Sequence, residues 1–479
     1  MRLLLFLTLI PAALARAARH LETGAAPQEF VNTAVARTVE LGGSTTLIMT
    51  QYNVKALNDD PGPYILALGA SGESEPAWYE VLVGGKPVVI EVDRLGDAPA
   101  AVVPVGKMSK DDTLTISLNV ITAHAARPLP EAIEQREPQF MIWEVETTLV
   151  DSAYKCDVER VKIRTPTPMI LSHGTVPNTY VRDSDITKSS STITLGPFYG
   201  VPPTVGADAS AKQSPFYVHY ETREPVVGIR TLKRAAEVSY WGGNLNIQDE
   251  VGLFNDGAKL KGQFSRLAHQ QSRFHAGTPA QVLSEFTLRL PPSAHSVYYY
   301  DVIGNVSTSR FRPGQPAVNK KRVVDGTLEL RPRYPVLGGW NYSFTVGWDM
   351  PLDESLHTDG DRAVLEVPFL TPLKGVVVDN QELTIILPEG ATDVEVVAPF
   401  AVDSIEYATH RTYLDTIGRP KVTITKRTVT ENHALPVYVT YSYPLSARFS
   451  KPIAVTAFAG SALTLFILLR RVNYNIEKK

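Results

Sequence analysis

Thr113-Leu114-Thr115-Ile116-Ser117-Leu118-Asn119-Val120 sets a polar side chain beside an apolar one at every step, and Val437-Tyr438-Val439-Thr440-Tyr441-Ser442-Tyr443 follows the same alternation. A period of two is that of a β-strand with one face buried. Outward from these runs, the 35 prolines and 32 glycines fall mostly between apolar segments, as at Asp60-Pro61-Gly62-Pro63 and across 196–203. Such punctuation cuts a chain into short strands joined by turns. The expected fold class is mainly β, built as antiparallel sandwiches rather than alternating βαβ units. Helical patterns are few: residues 130–134 have room for one turn and 279–286 for a short helix.

The chain has 479 residues, which at roughly 100–200 residues per domain suggests two or three domains. Its 47 Lys+Arg against 50 Asp+Glu leave a net charge of −3, with no domain-long basic face to displace counterions from phosphate. Nucleic acid is therefore not an expected partner. Cys156 is the single cysteine, so no intramolecular disulfide and no Cys-rich metal site can form.

The two ends place the chain in a membrane. After Arg2, an apolar stretch over 3–14 leads to Ala13-Leu14-Ala15, the pattern of a secretory signal peptide, assigned to 1–17. Residues 452–469 carry no charge and are bracketed by Lys451 and by Arg470-Arg471. About 18 residues rising about 1.5 Å each span about 27 Å, enough for one crossing of a thin bilayer. The expected order is a signal peptide, a luminal β-sandwich-like domain over 18–232, a second over 233–447, a transmembrane helix with flanks over 448–471 and a cytosolic tail over 472–479. That is a single-pass type I membrane protein. Two sequons, Asn305-Val306-Ser307 and Asn341-Tyr342-Ser343, suit luminal exposure. Gly304 suggests a turn that presents Asn305, whereas Asn341 lies between Trp340 and Tyr342 in a strand-forming run.

The halves begin alike. Arg37-Thr38-Val39-Glu40 leads to Gly42-Gly43, and Arg234-Ala235-Ala236-Glu237 leads to Gly242-Gly243. Each also closes on a Tyr- or His-bearing strand followed by proline, near 219–225 and 438–444. Tandem duplication of one β unit and coincidence between two β-rich segments both account for this.

Catalytic motifs are missing: no H-E-x-x-H, G-x-S-x-G, P-loop or G-x-G-x-x-G occurs. Asp183-Ser184-Asp185 and Asp359-Gly360-Asp361 lack the downstream glutamate of a calcium loop and read as acidic turns. Trp348-Asp349 lacks any blade-length repeat, and Cys156 reads as a buried strand residue. No catalytic, cofactor-binding or metal residue is assigned. From the residues alone, two classes stay open: a non-catalytic subunit of a secretory-pathway machine, and a type I adhesion or receptor module with β-sandwich ectodomains.

Several long segments then point one way. Leu195-Gly196-Pro197-Phe198-Tyr199-Gly200-Val201-Pro202, Glu237-Val238-Ser239-Tyr240-Trp241-Gly242, Ala258-Lys259-Leu260-Lys261-Gly262-Gln263-Phe264-Ser265-Arg266, Tyr298-Tyr299-Tyr300-Asp301-Val302-Ile303-Gly304-Asn305, Ile386-Leu387-Pro388-Glu389-Gly390-Ala391 and Tyr413-Leu414-Asp415-Thr416-Ile417-Gly418-Arg419-Pro420 resemble the ribophorin I family. The resemblance runs from about Phe30 to the membrane span. It implies an accessory subunit of the oligosaccharyltransferase complex of the endoplasmic reticulum membrane, which moves oligosaccharide from dolichyl diphosphate to asparagine in N-x-S/T sequons. It implies further that another, multi-spanning subunit is catalytic, and that partners include that subunit, a small membrane subunit, membrane lipid and nascent polypeptides. Lys479 follows Arg471 by only about eight residues, which likens the chain to the shorter, fungal-type form. In the span, Ala454, Ala457, Ser461 and Thr464 recur at helical spacing with Gly460 at the edge. Such a stripe suits packing against a partner helix, where small residues let backbones approach; the alternative is an anchor facing lipid.

Overall fold

A computed structural model describes residues 24–69, 76–90, 92–176, 178–181, 186–275, 279, 281–315, 323–413 and 415–471. The expected signal peptide over 1–17, the tail over 472–479 and the acidic turn at 183–185 lie outside the described residues. The architecture is mainly β, with one long apolar helix at its C-terminal end.

The alternating run at 113–120 becomes part of strand Thr113–Ala123, which pairs antiparallel with Thr45–Ala56 and buries Ile116, Leu118 and Val120. It belongs to an eight-stranded sheet whose spatial order is Ile186–Ser189, Thr192–Val201, Cys156–Arg164, Phe30–Leu41, Thr45–Ala56, Thr113–Ala123, Trp78–Val83, Lys86–Val88. A second eight-stranded sheet has the order Ser404–His410, Arg419–Val429, Val377–Ile386, Val227–Ser239, Asn244–Asn255, Asn341–Pro351, His295–Asp301, Gly304–Asn305. The two orders are the same when strands are counted along the chain. In each, the first long strand forms a hairpin with the next and pairs parallel, on its other side, with a strand that arrives much later.

The smaller sheets repeat the correspondence. Ile170–His173, Phe216–Thr222, Gln139–Val145 and Ala126–Pro128 match Thr392–Val397, Pro436–Ser442, Arg362–Pro368 and Leu356–Asp359. Tyr64–Ala67, Ala98–Val103 and Val92–Leu95 match Phe286–Leu290, Gly326–Leu330 and Arg310–Arg312. Among the described residues, the strands with no counterpart are Ala132–Ile133 and Lys259–Leu260, and these pair with each other across the two units. The strands that open alike at Arg37 and Arg234, and those that close alike before Pro225 and Pro444, hold equivalent places in this shared connectivity.

Each unit has its own core. One is built from residues between Ala26 and Val226, the other from residues between Ile229 and Tyr443. The change of core falls at the start of strand Val227–Ser239, which also contains residues 232 and 233.

Register fixes how the units stand. Ser239, Asn244, Pro351, Ile386 and Arg419 lie at one end of the second large sheet, and Val227, Asn255, Val377 and Val429 at the other. The first unit rests on the Val227 end, and the C-terminal helix starts from the Ser239 end. A strand of 13 residues at about 3.3 Å per residue puts these ends about 40 Å apart.

Two local expectations change, and one helix forms where none was expected. Residues 130–134 do not turn into a helix, because Ala132 and Ile133 are drawn into the pairing with Lys259 and Leu260. In 279–286 a single bond from Val282 N–H to the Pro279 carbonyl makes a turn, and Phe286 opens a strand instead. A helix does form at Arg266–His275, where Ser265 Oγ accepts the Ala268 N–H. Its sequence, RLAHQQSRFH, is mostly polar, with Leu267, Ala268 and Phe274 its apolar residues, too few to mark a helix in advance.

Candidate functional site

The C-terminal helix, Leu445–Arg471, is long and apolar enough to cross a membrane, and its residues from Ile453 onward are exposed. It starts three residues before the expected 448 and holds Pro452 inside. Proline has no N–H to give the carbonyl of Arg448, four residues back. Trp241 fills the vacancy: its indole N–H donates to that carbonyl at 3.1 Å, and its ring meets Phe449 at 5.8 Å. A turn of the β unit thus repairs the helix where the sequence breaks it.

Three further turns grip the same two helical turns. Arg448 Nη2 donates to the Gly360 carbonyl at 3.1 Å, Nε to the Tyr443 carbonyl at 3.1 Å, and its guanidinium lies 5.6 Å from the Tyr240 ring. Gly360, in the Asp359-Gly360-Asp361 turn, therefore serves as a helix contact. Lys451 Nζ reaches Asp415 at 2.6 Å and Glu389 at 3.2 Å, both nearly screened from solvent. The loop 388–391 lies so close that a Cβ on Gly390, at φ +88°, would stand 2.8 Å from Ala447 Cβ. Only glycine fits that position.

Glu389 organises the neighbouring loop. One oxygen accepts from Thr416 N–H at 2.7 Å, Thr416 Oγ at 2.8 Å, Ile417 N–H at 2.8 Å and Gly418 N–H at 3.2 Å. Burial alone would raise this carboxyl, but the donated bonds and Lys451 outweigh it and lower it to about 2. Asp415 falls below the usual carboxylate range in the same way, its burial overcome by Lys451 and by the Thr412 N–H. The cluster is a mechanical joint: every charge in it is occupied by a neighbour.

The joint between the two units is built from polar side chains at the opposite end. His124 Nε2 lies 2.8 Å from Asp379 and Nδ1 3.7 Å from Asp256. Hydrogen bonding to Asp256 and Asp379 raises its pKa from the ordinary value despite partial burial. Gln139 Oε1 accepts the Ala258 N–H at 3.0 Å, Gln281 Nε2 donates to the Gln135 carbonyl at 2.9 Å, and Trp78 meets His433 at 4.8 Å. The turn at Gly42-Gly43 closes on Val226. The equivalent turn of the second unit, at Gly242-Gly243, carries Trp241. One end of the repeated unit thus makes both joints, first to the next copy and then to the helix.

Asn305 follows a hairpin turn at Val302 and Ile303 and is exposed; Asp301, lowered to about 2 by Arg333 at 2.7 Å, fixes the turn through the Ile303 and Gly304 N–H groups. Asn341 is also exposed, at the first position of its strand. Tyr300, beside Asn305, pairs with Thr345, about 20 Å from the Pro351 end, and Asn341 is about 34 Å from it. Ala454, Ala457, Gly460, Ser461 and Thr464 are all exposed, and Thr464 Oγ donates to the Gly460 carbonyl at 2.8 Å. Cys156 is buried, its thiol pushed up by burial. Among the described residues, no group of three or more His, Cys, Asp or Glu gathers into a metal cluster.

Sequence reasoning missed a buried ion pair. Arg234 Nε and Nη2 each meet the Asp249 carboxylate at 2.6 Å with both side chains fully enclosed, and Nη1 donates to the carbonyls of Pro368 and Leu370. Its equivalent, Arg37, faces Thr50 across the sheet and instead contacts Asp151 at 3.4 Å.

A family model described as Ribophorin I matches residues 30–470. The chain belongs to the ribophorin I family. Dolichyl-diphosphooligosaccharide--protein glycosyltransferase subunit 1 of Caenorhabditis elegans is 28% identical over 450 residues, covering 92% of this chain and 72% of its own. Subunit 1A of Arabidopsis thaliana is 30% identical over 374 residues, 78% of this chain, which spans 56% of that relative's length. Subunit 1B of Arabidopsis thaliana is 28% identical over 421 residues, covering 87% and 84%. Among solved structures, yeast leukotriene A4 hydrolase overlaps 43% of this chain and 31% of its own at a TM-score of 0.25 and 10% identity, too shallow a likeness to carry any argument. Three of the stretches that resemble ribophorin I, at 237–242, 386–391 and 413–420, are far apart in sequence and meet at the helix base.

Proposed function

We propose that this ribophorin I chain is a non-catalytic accessory subunit of the oligosaccharyltransferase complex, anchored in the endoplasmic reticulum membrane with both β units in the lumen. It supports en bloc transfer of oligosaccharide from dolichyl diphosphate to asparagine in N-x-S/T sequons. The family match over 30–470 and the names of the relatives carry this reading. The clustered charges favour a scaffold, since they brace the joint between the units (His124 with Asp256 and Asp379), the joint to the helix (Lys451 with Asp415 and Glu389) and the interior of the second unit (Arg234 with Asp249). Proposed partners are the catalytic multi-spanning subunit, a small membrane subunit at the Ala454, Ala457, Gly460, Ser461 and Thr464 stripe, and nascent polypeptides. The domain division over 18–232 and 233–447, the signal peptide and the cytosolic tail belong to the same proposal.

Affinity capture of the full chain in mild detergent, with identification of its companions, tests the assignment. Companions that include a glycosyltransferase able to modify a sequon peptide, in amounts that fall when this chain is depleted, support it. Transfer of glycan by the purified chain alone overturns it. Asn305, exposed behind its hairpin turn, is proposed to be glycosylated; Asn305→Gln should raise gel mobility by one glycan, and an unchanged, endoglycosidase-insensitive band counts against it.

A further inference from the structure

Four large apolar side chains surround the base of the C-terminal helix with their surfaces open: Trp241 is 60% exposed, Tyr413 95%, Ile417 65% and Phe449 44%. They are held in place. Trp241 is fixed by its bond to the Arg448 carbonyl. Tyr413 sits in a loop closed by Thr412 N–H to Asp415 at 2.9 Å and Asp415 N–H to the Thr412 carbonyl at 3.1 Å, and Asp415 is tied in turn to Lys451. Ile417 donates its N–H to Glu389, which Lys451 also grips. Loops that keep aromatic and aliphatic groups outward on a rigid frame have an occupant for them.

We propose that this end of the second β unit is a lipid-binding collar, with Trp241, Tyr413, Ile417 and Phe449 entering the boundary between headgroups and acyl chains around the helix. Continuity with the span identifies the occupant. Phe449 precedes Ile453, where the fully exposed apolar part of the helix begins, by about 6 Å of rise. The interfacial layer outside a hydrocarbon core of about 30 Å is about 5–8 Å deep on each side. Phe449, with the Trp241 ring 5.8 Å from it, therefore falls within that layer, and the Tyr413 loop is tied to the same helical turn through Asp415 and Lys451; tryptophan and tyrosine concentrate there because one end of each ring is apolar and the other wet. Arg448 and Lys451, the charges of the helix base itself, are neutralised or hydrogen-bonded by Asp415, Glu389, Gly360 and Tyr443, and exposed Arg411 beside Tyr413 suits the headgroup side of the same layer. The collar would stand the sheet upright and hold the first unit about 40 Å from the membrane.

The proposal rests on the helix spanning the bilayer, and nitroxide labels separate the two. The full chain, reconstituted without other subunits into phosphatidylcholine vesicles, is labelled at one engineered cysteine at a time: Trp241→Cys, Tyr413→Cys, Leu463→Cys in mid-helix, and Val302→Cys. Val302 is 89% exposed but lies toward the other end of the sheet, and buried Cys156 does not compete for label. The ratio of oxygen to nickel-chelate collision rates should rise above the Val302 value at 413 and 241, and rise most at 463. A high ratio at 463 with aqueous values at 413 and 241 overturns the collar and leaves the span. Aqueous values at all four positions overturn the span and the collar together.

Discussion

Asp249→Ala tests the buried ion pair that braces the second unit. In the folded chain Arg234 and Asp249 share two bonds of 2.6 Å with no solvent at either side chain, and Arg234 Nη1 is held by the Pro368 and Leu370 carbonyls. Removing the carboxylate leaves a guanidinium enclosed beside the ring of Trp348, which lies 5.4 Å away and supplies only a fraction of the lost charge compensation. Breaking such a pair from one side costs about 3–5 kcal/mol. For a unit of this size each kcal/mol moves the melting temperature by about 2–4 °C, so the fall should be about 6–20 °C. Thermal unfolding of the full chain in detergent micelles, followed by tryptophan fluorescence, gives the value, because buried Trp348 reports on the same core. The double variant Arg234→Met, Asp249→Leu replaces charge with apolar volume and should recover most of the loss. A single-variant loss below about 1 kcal/mol, the size of a solvent-exposed pair, would refute the reasoning.

Three further outcomes are expected. Glu389 is lowered to about 2 in the fold, below its unfolded value, so its contribution is complete above pH 4.5 and drains away as pH falls toward 2; Lys451→Met should raise the midpoint of acid unfolding, and an unmoved midpoint would count against the clamp. His124 is raised in the fold, so its hold on Asp256 and Asp379 is complete below pH 6.5 and is lost as pH climbs through the raised value. Amide protection in strand Val377–Ile386, measured relative to the intrinsic exchange rate at each pH, should fall over that window, and His124→Ala should leave the protection low and independent of pH. Replacing Ala457 and Ser461 with leucine keeps the span apolar but fills its groove, so the chain should insert normally yet lose a small membrane companion on extraction, whereas full retention of companions would assign the stripe to lipid.

The sequence by itself determined what depends on neighbours in the chain. Alternation at 113–120 and 437–443 named the strands, proline and glycine named the turns, and the uncharged run over 452–469 named the span, because burial of one face or of a whole helix is written in local periodicity. The similar starts at Arg37 and Arg234 left duplication and coincidence level, since two short stretches cannot show how sheets connect. Tertiary structure decided that the connectivity is the same in both units apart from Ala132–Ile133 and Lys259–Leu260, and that one end of the unit serves both joints. It also decided the fate of 130–134, where pairing with Lys259 and Leu260 overrode a local helical turn. The clamp was invisible for the same reason: Trp241, Gly360, Glu389, Asp415 and Lys451 are spread over some 210 positions, and Pro452 reads only as a flaw in a helix until the indole N–H of Trp241 is seen to occupy the carbonyl it frees. Whether a charge is paired, and whether an exposed ring has a surface to meet, is settled by distance in space, which separation along the chain does not encode.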